Sequence, residues 1–133
     1  MTGRLLLALV LALAMPACGS NTFDVEGRET PVNVWLTVPH LAAEGGRIDA
    51  LIYIGPYKVV QGPVRFDKGS PTVNLPPLYL RAGGYDVAAV VDNGRFSVRE
   101  RVTIAQESWV QIILRGNRLI LEFDGRQPDP WGR

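Results

Sequence analysis

The sequence predicts an all-β protein, a single antiparallel β-sandwich of about seven to eight short strands preceded by a signal peptide. Three observations favour this fold class. From Pro31 onward, apolar and polar residues alternate with the period of two that is typical of half-buried strands. The 14 Gly and 10 Pro supply turn signals, which recur at intervals of about 8–12 residues, as they do in sandwiches. After Ser20, no stretch keeps a helical period over about ten residues.

The chain divides into four parts along its length. They are a signal peptide at 1–17, a flexible tether at 18–30, the β-sandwich domain at 31–124 and an irregular C-terminal tail at 125–133. The leader has Arg4 in its n-region and an apolar run over residues 5–15. As a helix, this run would span about 16 Å, roughly half of a bilayer core, which is too short for a membrane span.

The first half of the sandwich contains two long extended segments and four short ones. Their predicted ranges are 32–38, 48–54, 57–61, 64–66, 72–75 and 78–80. The short segments are separated by turns that contain proline, Gly62-Pro63 between the first two and Pro76-Pro77 between the last two. Proline has no N–H to donate to a ladder, so we expect strand pairing to be interrupted at both places.

The second half of the sandwich reads as two hairpins. Their strands are predicted at 85–91, 96–104, 109–114 and 119–123. Asn93-Gly94 lies between the first two, and this dipeptide favours a type I′ turn because both central positions need positive φ. Glu100 falls in phase with the apolar residues of its strand. Either this carboxylate is paired or a β-bulge resets the register there.

The end of the leader resembles the lipobox of bacterial lipoprotein precursors. It reads Met15-Pro16-Ala17-Cys18, with a small residue directly before the sole Cys of the chain. The resemblance implies that Cys18 carries a diacylglyceryl thioether and an N-acyl chain such as palmitate, and several acyl chains are what stable anchoring requires. It also implies export to the outer membrane, facing the periplasm, because Gly19 rather than Asp follows. Ordinary signal-peptidase cleavage and an uncleaved anchor are the alternatives.

A second resemblance lies in the segment 80–87, which reads Leu-Arg-Ala-Gly-Gly-Tyr-Asp-Val. This pattern of leucine, small residue, glycine, aromatic and valine resembles the turn and following strand of prealbumin-like sandwiches, including carboxypeptidase regulatory-like domains. The resemblance implies an immunoglobulin/prealbumin-like sandwich. It also implies a non-catalytic accessory module, because those families are mostly of that kind.

The composition excludes several classes of function. A net charge of +1 is too small for the electrostatic footprint of a nucleic-acid-binding protein. One Cys and one His provide neither a disulfide, nor a Cys-rich zinc site, nor a multi-histidine centre, and we predict no metal and no cofactor. No serine lies in a Gly-x-Ser-x-Gly elbow that His40 could serve. We therefore predict no catalytic residues, with a hydrolase as a minor alternative.

Four aromatic residues are the candidates for ligand or partner binding. Trp35 and Trp109 are out of phase with the apolar residues of their strands, and Tyr53 and Tyr57 flank a predicted turn. Exposed rings of this kind stack on sugars or anchor a protein partner, whereas in a central strand buried on both faces they are core residues. The sequence thus predicts a membrane-anchored lipoprotein of the cell envelope, a structural, accessory or protein-interaction module. Binding of a carbohydrate or another small ligand is the alternative.

Overall fold

The structure is a computed structural model that describes residues 28–128. The predicted signal peptide, the lipidation site Cys18, nearly all of the tether and residues 129–133 of the tail lie outside the described residues. The described part of the chain contains no helix whose length and hydropathy would let it span a bilayer.

Residues 28–128 form eight β-strands and one short 3-10 helix, which confirms the predicted all-β fold class. The strands are β1 (Glu29–Thr37), β2 (Gly46–Ile54), β3 (Tyr57–Phe66), β4 (Thr72–Arg81), β5 (Gly83–Val91), β6 (Phe96–Ile104), β7 (Ser108–Arg115) and β8 (Arg118–Asp124). The 3-10 helix (Pro39–Leu41) begins at a proline, whose fixed φ suits a first helical position.

The strands form two four-stranded sheets that pack face to face. Sheet 1 has the order β4-β1-β7-β8 and sheet 2 has the order β3-β2-β5-β6. All neighbouring pairs are antiparallel except β1 and β7, which run parallel. At the two sides of the sandwich, β3 contacts β4 and β6 contacts β8. The predicted antiparallel sandwich is therefore confirmed, with one parallel pair at the centre of sheet 1.

The core lies between the inner faces of the two sheets. Every second residue of each central strand points inward, as the period of two predicts. The largest of the fully buried side chains include Leu36, Ile52, Ile54, Phe66, Ile104 and Ile112. Burying a side chain of this size stabilises the fold by about 1.5–3 kcal/mol, so this layer holds the two sheets together.

The prolines of the first half do not divide the strands, which corrects the prediction of four short segments. Residues 57–66 and 72–81 are two continuous strands, and both lie at a sheet edge. Pro63 pairs with Asp49, and Pro76-Pro77 lies where the register shifts opposite Asn33. An edge strand has one row of N–H groups without a ladder partner, so proline is tolerated there.

The predicted β5–β6 hairpin is confirmed at its turn. Asn93 and Gly94 have φ values of 56° and 89°, and the Arg95 N–H donates to the Asp92 carbonyl at 3.1 Å. The β5–β6 register is continuous, so no bulge is present at Glu100, which lies opposite Val87. Its carboxylate is exposed at the edge, and it has no ion pair within residues 28–128.

Strand directions place several connections at one end of the sandwich, which we call the proximal end. The start of β1 pairs with the end of β4, because Glu29 lies opposite Arg81. The β2–β3 turn joins them there, since the Gly55 N–H donates to the Asp86 carbonyl at 2.7 Å. The β6–β7 turn and the end of β8 lie at the same end. The chain thus enters and leaves the sandwich at the proximal end.

Candidate functional site

All four tyrosines of the chain lie at the proximal end. Tyr53 lies near the end of β2 and Tyr57 begins β3, on either side of one turn. Tyr79 lies near the end of β4 and Tyr85 near the start of β5, on either side of the next connection. Tyr57 and Tyr79 are 49% and 59% exposed, the highest values among the large apolar side chains of residues 28–128. The fold therefore gathers tyrosine rings that the sequence separates.

Tyr85 is held in place by a tyrosine corner. Its hydroxyl donates a hydrogen bond to the Arg81 carbonyl, four residues upstream, at 2.7 Å, which is the arrangement found in many β-sandwiches. The ring packs against Gly55, where an added Cβ would lie 3.1 Å from Tyr85 Cδ2. Tyr85 thus joins the β4–β5 connection to the β2–β3 turn, and it lines two clefts.

The first of these clefts, which we call the sheet cleft, lies on the outer face of sheet 2. It has a volume of about 460 Å³, and it is lined by Tyr53, Gly55, Pro56, Gly84, Tyr85, Asp86, Ala88, Arg99 and Arg101. Tyr53, Ala88 and Arg99 are register partners across β2, β5 and β6. Because Ala88 contributes only a methyl group, space remains between the tyrosine and the arginine on either side of it.

An ion pair lies beside that row. Arg101 Nη1 is 3.0 Å from Asp86 Oδ1, with side chains that are 67% and 51% exposed. Gly84 makes room for the guanidinium, because a Cβ at this position would lie 3.1 Å from Arg101 Nη2. Exposed pairs of this kind contribute at most about 1 kcal/mol to stability. The pair instead fixes a donor and an acceptor beside the sheet cleft.

The second cleft, which we call the end cleft, lies at the proximal end, beside the contact between β3 and β4. Its volume is about 310 Å³, and it is lined by Glu29, Tyr57, Tyr79, Leu80, Arg81 and Tyr85. Its two exposed rings come from β3 of sheet 2 and β4 of sheet 1, so it spans the contact between the two sheets. An aromatic surface at this point is accessible to a partner that approaches the proximal end.

The two predicted tryptophans lie elsewhere, on the outer face of sheet 1. Trp35 is 6% exposed, and Trp109 on the neighbouring strand is half-buried. Gln111 Nε2 donates to Thr37 Oγ1 at 3.1 Å on the same face, and Thr37 Oγ1 lies 2.9 Å from Thr72 Oγ1. The structure thus brings Tyr53 and Tyr57 to one end, but it does not bring the tryptophans to them. With Trp35 buried, its ring offers no free face to a ligand.

The residues that could support catalysis or metal binding do not converge in residues 28–128. His40 is exposed in the 3-10 helix, at the opposite end from the tyrosines. Within that range, no group of three or more His, Cys, Asp and Glu is placed to hold a metal ion. Asp86 is the acidic residue at the sheet cleft, where it pairs with Arg101.

Sequence reasoning missed Tyr79 and Tyr85 as site residues, and it interpreted Arg99 and Arg101 as a solvated strand face, with an acidic partner or lipid headgroups as the alternative. The signal for Tyr85 was present in the segment 80–87, which supplies both the hydroxyl donor and the carbonyl acceptor of the tyrosine corner. The others become neighbours only through the strand order. No protein-family model matches the chain, and neither a curated protein nor a solved structure shows significant similarity to it.

Proposed function

We propose that this protein is a membrane-anchored lipoprotein of the cell envelope, whose β-sandwich acts without catalysis as an accessory, protein-interaction module. The observation that carries the proposal is the convergence of exposed tyrosines at the end where the chain enters the sandwich. The lipobox at Cys18 supplies the anchor, by resemblance, and supports an outer-membrane position facing the periplasm. A prealbumin-like relationship is part of the same proposal, supported by the eight strands in two sheets.

The tether sets how far the sandwich stands from the membrane. Between Cys18 and the start of β1 at Glu29 the chain advances 29 − 18 = 11 residues. Fully extended, these span at most about 40 Å. An anchored sandwich therefore keeps its proximal end close to the bilayer surface, where an envelope protein embedded in or lying on the membrane can reach it.

Tyr57, Tyr79 and Arg81 are the residues we propose for contact with such a partner. They surround the end cleft, and the two rings are about half exposed. Tyrosine and arginine are the residue types that, together with tryptophan, most often dominate the binding energy of protein interfaces. A partner that covers both rings would bind β3 and β4 at once, and so both sheets.

The anchor is tested by membrane fractionation. Cys18→Ala should move the protein from the membrane fraction to the soluble fraction, because the substituted chain has no sulfur to acylate. Ser20→Ala serves as the matched control and should leave fractionation unchanged. If the Cys18→Ala protein stays in the membrane fraction, the anchor lies elsewhere.

The interaction surface is tested by site-specific photo-crosslinking in the host envelope. A photoreactive side chain at position 57 or 79 should give the same discrete adduct, and one at Asn117, in the β7–β8 turn of the opposite end, should give none. Equal adducts at all three positions, or none at 57 and 79, would contradict a partner at the end cleft.

Carbohydrate binding is the second candidate function. The sheet cleft favours it, because a half-buried tyrosine, Tyr53, lies there among the polar side chains of Asp86, Arg99 and Arg101. Trp35 and Trp109 no longer support it as an exposed pair, since Trp35 is buried. Titration with neutral and acidic glycans, followed by tyrosine and tryptophan fluorescence, tests this candidate.

A further inference from the structure

We infer that the sheet cleft binds a carboxylate-bearing saccharide, with Tyr53 as the stacking surface and Arg99 as the group that pairs with the carboxylate. This inference rests on the second function proposed above and names its ligand class. It does not depend on the lipid anchor, because the whole cleft is built from residues of sheet 2 and its turns.

The shape of the cleft suits a small, flat ligand. Its volume of about 460 Å³ lies in the usual range of about 300–1,000 Å³ for small-molecule sites. Tyr53 and Arg99 lie two strand spacings apart, about 10 Å, with Ala88 as register partner of both. The core residues on either side of Tyr53 and Ala88 point inward, so these side chains face the solvent. A sugar ring can therefore pack on Ala88 and stack against the Tyr53 ring.

The charges at the cleft favour an acidic ligand. Arg101 is already paired with Asp86, whereas Arg99 is exposed and has no ion pair or hydrogen bond with any residue of the range 28–128. A guanidinium group presents a planar fork of donors that matches a carboxylate with two parallel hydrogen bonds. The cleft thus has one guanidinium available for an anion.

The Asp86–Arg101 pair adds the polar contacts that a sugar needs. Its carboxylate accepts and its guanidinium donates hydrogen bonds, so the pair can bind adjacent hydroxyl groups at the same time. Tyr53 offers an apolar face to the C–H side of a sugar ring. A ligand with a carboxylate, several hydroxyl groups and one apolar face uses all of these features, and an acidic saccharide has each of them.

Calorimetric titration of the purified full chain, as processed by its host and held in detergent, tests the inference with three probes. The first is digalacturonate, the second is its dimethyl ester, and the third is sodium acetate. Digalacturonate should bind, the ester should bind at least about tenfold more weakly because the charge-assisted pair is lost, and acetate should neither bind measurably nor compete. An ester that binds as well as the acid overturns the role of Arg99. If acetate competes fully, the cleft is a simple anion site and the inference is overturned. The inference is also overturned if digalacturonate does not bind.

Variants assign the binding to the two named residues. Arg99→Ala and Tyr53→Ala should each weaken digalacturonate binding about tenfold or more, whereas Arg47→Ala, at the opposite end of the strand that carries Tyr53, should not change it. Arg99 is exposed on an edge strand, so its variant should fold even if Tyr53→Ala does not. An unchanged affinity of Arg99→Ala overturns the inference. Binding of a neutral glycan without binding of digalacturonate would overturn this inference and leave carbohydrate binding standing, so the two failures are distinguishable.

Discussion

The tyrosine corner makes a sharp prediction about stability. Tyr85→Phe removes one hydroxyl, and with it the 2.7 Å hydrogen bond to the Arg81 carbonyl, while the ring that packs against Gly55 stays in place. The expected loss is the net value of one hydrogen bond, about 0.5–1.5 kcal/mol, with no cavity to add to it. A loss of about 1 kcal/mol lowers the melting temperature of a domain of about 100 residues by roughly 4 °C or more.

Urea unfolding of the full chain, followed by tryptophan fluorescence, measures this loss. The matched control is Tyr57→Phe, because the Tyr57 side chain is about half exposed and its hydroxyl has no hydrogen bond to any residue of the range 28–128. Tyr57→Phe should change the free energy of unfolding by less than about 0.5 kcal/mol. If the two variants have the same midpoint and slope, the Tyr85 hydroxyl does not stabilise the proximal end and the reasoning is refuted.

Three further predictions concern the turn, the core and the orientation. Gly55→Ala should lower the free energy of unfolding by about 1–2 kcal/mol, because φ is +57° there and the new Cβ would lie 3.1 Å from Tyr85. An unchanged urea midpoint contradicts this prediction. The Ile112 side chain is 0% exposed. Ile112→Ala should therefore lower the free energy of unfolding by about 2–5 kcal/mol in the same assay, and a smaller loss would mean that the sheets repack. In the proposed lipoprotein, the acyl chains occupy the only Cys of the chain, so a cysteine introduced at Gln106 or Asn117 can be labelled alone. Energy transfer from the label to a lipid dye should be stronger from position 106, and equal transfer from the two positions contradicts a proximal end that faces the bilayer.

The strands and their main hairpin could be predicted from the sequence because their signals are local. Period-two alternation correctly predicted β1, β2 and β5–β8, and Asn93-Gly94 correctly predicted the turn between β5 and β6. The division of β3 and β4 at proline was wrong. Whether Pro63 or Pro76 interrupts a ladder depends on whether its strand lies at an edge, and that is decided by strand order, which local sequence does not encode.

The candidate site was predictable only in part, for the same reason. Tyr53 and Tyr57 flank one turn, so their proximity is local and was expected. Tyr79 comes from the other sheet, and it reaches the same end because β4 pairs with β1. The phase of Trp35 showed correctly that it points away from the inner core, but phase does not determine exposure, and this side chain is 6% exposed. Residues that become neighbours only through the strand order can be recognised as a site only once the fold is known.

The edges of the sandwich indicate how a partner can bind. The edge strands β3 and β4 contain prolines, which leave gaps in the row of N–H groups that an added strand would need. The other two edges carry charges, Glu100 on β6 and Glu122 on β8, and both side chains are exposed. Charges and prolines at edges disfavour strand addition, which is the mode of recognition that uses main-chain hydrogen bonds. Binding through side chains is therefore favoured, and the tyrosines and arginines of the proximal end are the side chains best placed for it.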